Sequence, residues 1–258
     1  MGEELQAILE TVVRILRKSP SILFVTGAGI SADSGLPTYR GIGGLYDIEA
    51  TEEGLPIEEI LSETTFRADP ELTWKYLAQI AEAARGASYN RAHQVIAEIE
   101  QGFPRVWTLT QNVDGFHRLA GSKNVIEIHG NMRSLSGEKC DYRLIVTEEA
   151  ALKFPPRCPK CNAILRPNVV LFGEYLPEEA VRLLRRELEV GFGVVVGIGT
   201  SGVFPYIQEP FLSARRRSVP TIEINPAESA LSPLVDYRLP IGAARAMDEI
   251  GRRLLENA

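Results

Sequence analysis

Cysteine is scarce in this chain: Cys140, Cys158 and Cys161 are the whole complement of a 258-residue sequence. An odd trio so closely spaced excludes a disulfide framework and points to metal instead. Long apolar runs are also missing. None approaches the ~20 residues that a membrane-crossing helix needs, and the opening Met1-Gly2-Glu3-Glu4 is acidic where a secretory signal starts basic. A cytoplasmic protein without a membrane partner is expected. Basic residues are in the minority, 28 Lys and Arg against 34 Asp and Glu, for a net charge of −6. That balance argues against direct nucleic-acid binding, because phosphate backbones attract basic surfaces, and a cationic substrate fits better. What remains is ordinary for a globular protein, with 45% hydrophobic and 24% charged residues. The length suits one large domain, or one large and one small.

Leu5, Ile8, Leu9, Val12, Val13 and Leu16 recur at helical spacing, which predicts an amphipathic opening helix over Glu4–Lys18. Short apolar runs follow at Ser21–Val25, Val106–Leu109, Gly193–Gly197 and Thr221–Asn225, and read as strands buried on both faces. Helical patterns separate them at Pro70–Arg85, Asn90–Gln101, Pro177–Val190, Pro205–Arg216 and Ala243–Asn257. This alternation predicts an α/β fold with a mainly parallel sheet and helices on both faces. Two stretches break the rhythm. Residues 41–65 are Gly-rich and acidic, and read as a flexible loop with one short helix at Ile57–Ser62. Residues 133–166 hold every cysteine and read as a small satellite module, which leaves 1–132 and 167–258 to the large domain.

The first strand runs into Gly27-Ala28-Gly29-Ile30-Ser31-Ala32, a G-x-G-x-x-A turn in a strand-turn-helix setting, where small residues let a pyrophosphate approach backbone N–H groups. A Gly-rich tight turn without ligand is the plainer alternative. A conventional Rossmann-like hydride-transfer enzyme fits poorly, because the acidic residue expected about 20 positions on would fall, as Asp47 or Glu49, in the irregular loop. Thr38-Tyr39-Arg40 continue the turn, and Arg40 could meet phosphate as a fork donor. Thr110-Gln111-Asn112-Val113-Asp114-Gly115 follow a second strand, and Ile126-Glu127-Ile128-His129-Gly130 put a histidine at a third strand's end. Ligands sit beyond such strand ends, so three polar clusters should meet on one rim. His93, on a helical pattern, reads as structural, and His117 as an anchor for its turn. Arg215-Arg216-Arg217 read as a solvated helix cap.

In order and spread, Gly27–Arg40, Thr110–His117, Ile128–Gly130, Cys158–Cys161, Asn168–Glu174, Gly197–Ser201 and Glu223–Pro226 resemble the sirtuin family, the NAD-dependent protein lysine deacylases. The resemblance implies a Rossmann-like NAD-binding domain plus a small zinc-ribbon-like module, with an acyl-lysine protein or peptide entering between them. It implies that Gly27, Ala28, Gly29, Ser31, Thr38, Tyr39 and Arg40 wall the NAD site, and that Asn112 and Asp114 hold the nicotinamide amide and nearby ribose with Gln111. It places Gly197, Gly199, Thr200, Ser201 and Asn225 on the adenosine side. His129 would be the general base, a role suited to an imidazole titrating near neutrality, and Asn112 its catalytic companion. The substrate peptide would add as a strand along Val170, Phe172, Gly173 and Glu174, although Val170 reads equally as strand core. The implied reaction moves the acyl group from lysine to ADP-ribose, giving nicotinamide and O-acyl-ADP-ribose.

Three departures from the family pattern bear on function. Gly137 stands where the first of four zinc cysteines is expected. Cys140, Cys158 and Cys161 then either hold structural zinc with a fourth ligand from Glu138, Asp141 or water, or the module folds without metal. Gln79 stands where members that remove acidic acyl groups carry the arginine of a Tyr-x-x-Arg pair, so acetyl or a longer apolar acyl group is expected. In Gly202-Val203-Phe204-Pro205-Tyr206, Phe204 and Tyr206 either reshape the acyl tunnel or simply pack. Alternatives to deacylation are ADP-ribosyl transfer, NAD hydrolysis, or a non-catalytic NAD sensor.

Overall fold

The structure, a computed structural model, describes residues 2–36, 51–83, 86–147 and 152–255. The chain runs through α1 (Glu3–Lys18), β1 (Ser21–Thr26), α2 (Ile57–Ile60), α3 (Glu63–Ala68), α4 (Pro70–Ala83), α5 (Arg91–Gly102) and β2 (Arg105–Thr110). It continues with α6 (Phe116–Leu119), β3 (Val125–Glu127), β4 (Gly130–Gly137), β5 (Arg143–Ile145) and β6 (Leu165–Val169). The last part is α7 (Glu178–Val190), β7 (Val194–Ile198), α8 (Pro205–Arg216), β8 (Thr221–Ile224), β9 (Tyr237–Leu239) and α9 (Ala243–Leu255).

Six strands form one parallel sheet in the order β3-β2-β1-β7-β8-β9. Within that sheet the chain winds outward from β1 in one direction and then, from β7, in the other, which is the doubly wound order with its switch point between β1 and β7. β7 and β8 are buried along their whole length, as strands covered on both faces must be. On one face α1, α5 and α9 pack Leu9, Val12, Leu16, Ile96 and Ile250 against Ile22, Phe24 and Val196. On the other, Leu184 of α7 and Ile207 and Phe211 of α8 meet Leu23, Val25 and Val195. Each such side chain, fully buried, contributes roughly 1.5–3 kcal/mol, so a charge at Ile250 would open this face. The helical periodicity of α1 is realised as read, with Glu3 and Glu4 at its positive end and Arg17 and Lys18 at its negative end.

The second sheet is antiparallel, ordered β5-β4-β6, with a register shift between Asn131 and Leu135. It extends beyond the expected 133–166 bounds at both ends. The helices at 57–83 pack against it: Trp74 is 1% exposed and donates its indole N–H to the Leu165 carbonyl at 2.8 Å, and Ile60 and Phe66 share a core with Leu135 and Leu165. Of the stretch read as loop, 41–50 lies outside the described residues. The short helix expected at Ile57–Ser62 is present as α2, and a second follows at once, because Ser62 Oγ accepts from Thr65 N at 3.1 Å and starts α3. No helix among the described residues is long and apolar enough to cross a membrane.

Candidate active site

The ends of β1, β2 and β7 meet at the switch point, and the turn after β1 touches the loop after β7. Gly29 N donates to the Gly199 carbonyl at 2.8 Å, and Gly199 N to the Ile224 carbonyl at 2.9 Å. A Cβ on Gly29 would lie 2.7 Å from Gly199 Cα, one on Gly27 would lie 2.9 Å from Thr200 Cα, and Gly199 itself holds φ +58. These glycines are therefore required first by backbone against backbone. Their N–H groups are also less available to phosphate than the sequence pattern implied, since Gly27 N and Gly29 N both have carbonyl partners. The expected strand-turn-helix is corrected as well: two short 3-10 turns, Ala28–Ile30 and Ala32–Ser34, replace an α-helix, and Gly35 at φ +83 ends the second.

Side chains cross-brace the rim. Ser31 Oγ donates to Asp114 Oδ2 at 2.8 Å and accepts from Asn112 Nδ2 at 3.1 Å. Asp114 Oδ1 accepts from Phe116 N at 2.9 Å. Burial raises the Asp114 carboxyl, against the hydrogen bonds from Phe116 N and Ser31 that lower it. Gln111 Nε2 donates to Thr200 Oγ1 at 2.7 Å, and Asn225 Nδ2 to the Thr200 carbonyl at 3.1 Å. The ends of β1, β2, β7 and β8 are thus tied by short polar side chains, and of the three clusters in the sequence the first two take part in these bonds.

His129 stands two residues beyond β3, with Nδ1 2.9 Å from the Gln111 carbonyl and Nε2 2.7 Å from the Tyr206 hydroxyl. Burial lowers its pKa, partly countered by the Gln111 carbonyl. Phe204 and Tyr206 stack at 5.4 Å and both present their rings edge-on to the imidazole. The other two histidines lie behind the rim. His117 Nε2 meets Thr26 Oγ1 at 2.9 Å, and His93 Nδ1 accepts from Asn90 N at 3.2 Å to cap α5. Burial depresses both, His93 to about 4.

A cavity of about 1010 Å³ joins these elements. Gly27, Ala28, Gly29, Gln111, Asn112 and His129 line it, with Gly199, Thr200, Ser201 and Asn225. Val170, Phe172, Gly173 and Glu174 also line it, as do Leu77 and Ile80 of α4. A smaller adjoining cavity of about 130 Å³ takes Ser31 and Asp114 into its wall and shares Ala28 and Asn112 with the first.

Several expectations change on this geometry. Gly197 is not on the cavity wall: it lies within β7, where a Cβ would fall 3.0 Å from Phe211 and 3.1 Å from Leu231. Thr38, Tyr39 and Arg40 lie outside the described residues. The Glu174 carboxylate is bound to Arg166 at 2.6 Å and to Leu171 N at 2.8 Å, so it clamps its own loop. In the segment read as peptide-pairing, Val170 N donates to the His129 carbonyl, and Phe172 bonds through both N–H and C=O to Leu61 and Glu63. Gly173, at φ +86 with open space around its Cα, is left as the place where another backbone could approach. The sequence left Tyr206 either to reshape the acyl tunnel or to pack, and nothing in its spacing signals the contact with His129.

In the second sheet Cys140 Sγ lies 3.4 Å from Cys158 Sγ and 3.5 Å from Cys161 Sγ. Tetrahedral Zn–S bonds of about 2.3 Å set sulfur atoms roughly 3.8 Å apart, so the trio is compatible with structural zinc. Lys160 N points at Cys158 Sγ from 3.4 Å, and Asn162 takes φ 59 to close the Cys-x2-Cys turn. Asp141 is turned to Lys160 Nζ at 2.9 Å, and among the described residues the ligand cluster comprises the three cysteines alone. A Cβ on Gly137 would stand 3.1 Å from Cys140 Sγ, which sets residue 137 beside the cluster.

Residues 27–205 match the family model described as "Sir2 family". The chain is 49% identical over 243 residues to NAD-dependent protein deacylase 2 of Pseudomonas aeruginosa, covering 93% of each chain. It is 38% identical to NAD-dependent protein deacylase 1 of Archaeoglobus fulgidus, covering 95% of this chain and 97% of that one. Among solved structures, a Sir2 homologue–ADP-ribose complex superposes with a TM-score of 0.85 at 37% identity, covering 100% of this chain and 98% of the other. A Sir2 homologue–NAD complex gives 0.84 at 38% identity, with 96% and 94% covered. The superposition therefore agrees with the match in sequence, and the chain belongs to the Sir2, or sirtuin, family.

Proposed function

We propose that this protein is an NAD-dependent protein lysine deacylase that transfers acetyl or a longer apolar acyl group from lysine to ADP-ribose. The observation that carries this reading is that His129, Asn112 and the Gly27–Gly29 turn line one large cavity. His129 Nδ1 faces a carbonyl, which only accepts, so in the neutral ring Nδ1 carries the proton and Nε2 is the basic atom. Depression of the pKa by burial keeps that ring neutral at physiological pH.

NAD is consumed here as the second substrate. Ala28, Gln111, Thr200 and Asn225 hold it across the strand ends, while Asn112 and Asp114, braced through Ser31, orient the nicotinamide end toward the smaller cavity. The peptide enters along Gly173 and brings the acyl oxygen in line with the ribose carbon that loses nicotinamide, so much of the rate gain comes from positioning. Leu77 and Ile80 are the α4 side chains on the cavity wall, and they favour an apolar acyl chain. Gln79 is exposed, the Tyr76 hydroxyl is bound to Glu53 and accepts from Glu52 N at 3.2 Å, and Lys75 of α4 is paired with Glu52 and Glu53 at 2.7 Å, so the Tyr-x-x-Arg arrangement for an acidic acyl group is missing. Three free thiols suit a reducing cytoplasm, and the net charge of −6 disfavours nucleic acid.

The test is nicotinamide release from NAD with acyl-lysine peptides from acetyl to long-chain and succinyl. Peptide-dependent release with matching deacylated product, strongest for apolar chains, is expected. Peptide-independent release would move the reading to NAD hydrolysis or ADP-ribosyl transfer, and tight NAD binding without turnover would move it to a sensor.

A further inference from the structure

The Tyr206 hydroxyl occupies the one atom that a general base must offer, His129 Nε2, at 2.7 Å. The sense of the bond follows from the other ring nitrogen. Nδ1 donates to the Gln111 carbonyl at 2.9 Å, so Nε2 holds only a lone pair and Tyr206 is the donor. A phenol oxygen that donates its one proton still has two lone pairs. Among the described residues, His129 is the hydrogen-bond partner found for this hydroxyl, and both residues line the large cavity. An incoming hydroxyl can therefore donate to Tyr206 without breaking the contact to His129.

The mount is stiff. Pro205 opens α8 immediately before Tyr206, Gln208 Nε2 donates to the Gly202 carbonyl at 2.8 Å, and Gly202 N donates to Thr200 Oγ1 at 3.1 Å. A Cβ on Gly202 would fall 2.5 Å from Leu231 Cγ, and the tyrosine ring stacks on Phe204 with an interplanar angle of 11°. The hydroxyl is thus held in place by the loop beneath it.

Resting on the deacylase reading, we propose that Tyr206 is a second catalytic residue, a proton relay between the ribose hydroxyl of the bound co-substrate and His129. As the ribose oxygen forms its bond to the acyl carbon, its proton passes to the Tyr206 oxygen while the phenolic proton passes to His129 Nε2. The phenol ends the step as it began, and the imidazole carries the charge. When the bond between the acyl carbon and the lysine nitrogen breaks, the proton returns to the departing amine, and a water molecule adds to the acyl carbon left bonded to two ribose oxygens and releases O-acyl-ADP-ribose. No phenolate need form, in keeping with a Tyr206 pKa that burial pushes up to about 12.

Tyr206→Phe removes the oxygen and keeps the ring and its stack on Phe204. Attack of the acyl oxygen on the ribose carbon precedes the proton transfer, so exchange of labelled nicotinamide into NAD, driven by an acetyl-lysine peptide, reads that first step alone. The expected result is exchange within about twofold of wild type and deacylation slower by about a hundredfold. Acting as a unit, the pair should also be non-additive, with the Tyr206→Phe/His129→Ala double variant no slower than His129→Ala. Deacylation by Tyr206→Phe at or above the wild-type rate would overturn the relay and make Tyr206 a plug displaced by co-substrate. Equal loss of exchange and deacylation would overturn it in favour of wall packing. A wild type that neither exchanges nor deacylates would instead sink the deacylase reading, and the relay with it, a result distinct from an active wild type with an unaffected variant.

Discussion

The rim of the parallel sheet and the cysteine turns of the smaller sheet are both made of short irregular segments, yet they achieve order by opposite means. At the rim, Gln111, Asn112, Ser31, Asp114, Thr200 and Asn225 bond to one another across four strand ends. The protein alone completes that network. In the smaller sheet three thiols converge, and the residue beside them at 137 is a glycine, which has no ligand side chain. A bound zinc ion would supply there what side chains supply at the rim. Chemistry placed on the self-sufficient region is insulated from metal supply, while the wall that α4 and the small sheet contribute to the substrate cavity is exposed to it.

Removing the basic atom tests the rim most severely. His129→Ala should lower deacylation by about 10³-fold, within the usual range for a general base, while thermal unfolding stays near that of wild type. Unfolding that collapses along with activity would show His129 to be a structural post. In the wild type, neutral His129 is the competent form and its pKa is lowered, so the acidic limb of the kcat/KM profile should lie below pH 6.5.

Acid should undo the support beneath the rim. His93 titrates near 6.5 when unfolded and is held at about 4 by burial, so the unfolded chain binds the extra proton between those values. Its contribution is fully present above pH 6.5 and is lost as pH falls toward 4, by about 3 kcal/mol in total. His117, depressed by burial and by His93, acts in the same direction. Urea unfolding at pH 7 and pH 4.5 measures the loss, and His93→Gln should flatten the slope.

Gly137→Cys should make the smaller sheet resemble the rim in completeness. Four ligands share roughly 10–16 kcal/mol of apparent zinc binding, so a restored ligand is worth about 3 kcal/mol, or about a hundredfold in affinity. Competition against a chromogenic chelator measures this directly. A variant with unchanged zinc affinity would show that residue 137 is misplaced for the missing corner. The smallest effect expected is that of Ser31→Ala, which leaves Asp114 and Asn112 each short of a partner and should cost about 1–2 kcal/mol, with a higher KM for NAD.

Much of this architecture was legible in the residues themselves. α8 begins at Pro205 and ends at Arg216 as the pattern indicates, because a proline at the first helical position and a basic last turn are strong local signals. The three rim motifs were legible because each closes a buried strand. Gly197 misled, since a glycine kept for Phe211 and Leu231 looks in sequence like one kept for a ligand. The extent of the smaller sheet was hidden because its core borrows Trp74 and Phe66 from helices far away in sequence. Tyr206 was hidden for the same reason: its partner is 77 positions distant, and no local periodicity reports such a contact.

The touching glycines of the turn after β1 and the loop after β7 also constrain how this chain can vary. With Gly29 and Gly199 in backbone contact, any side chain at either site meets main-chain atoms that cannot rotate away. A mutational scan should therefore find both sites closed even under selection for folding alone, with no second-site change able to reopen them singly. Intolerance at these positions reports the seam between the two halves of the sheet, and tolerance at Ala28 and Asn225 is the better gauge of whether a given descendant of this chain still takes up its co-substrate.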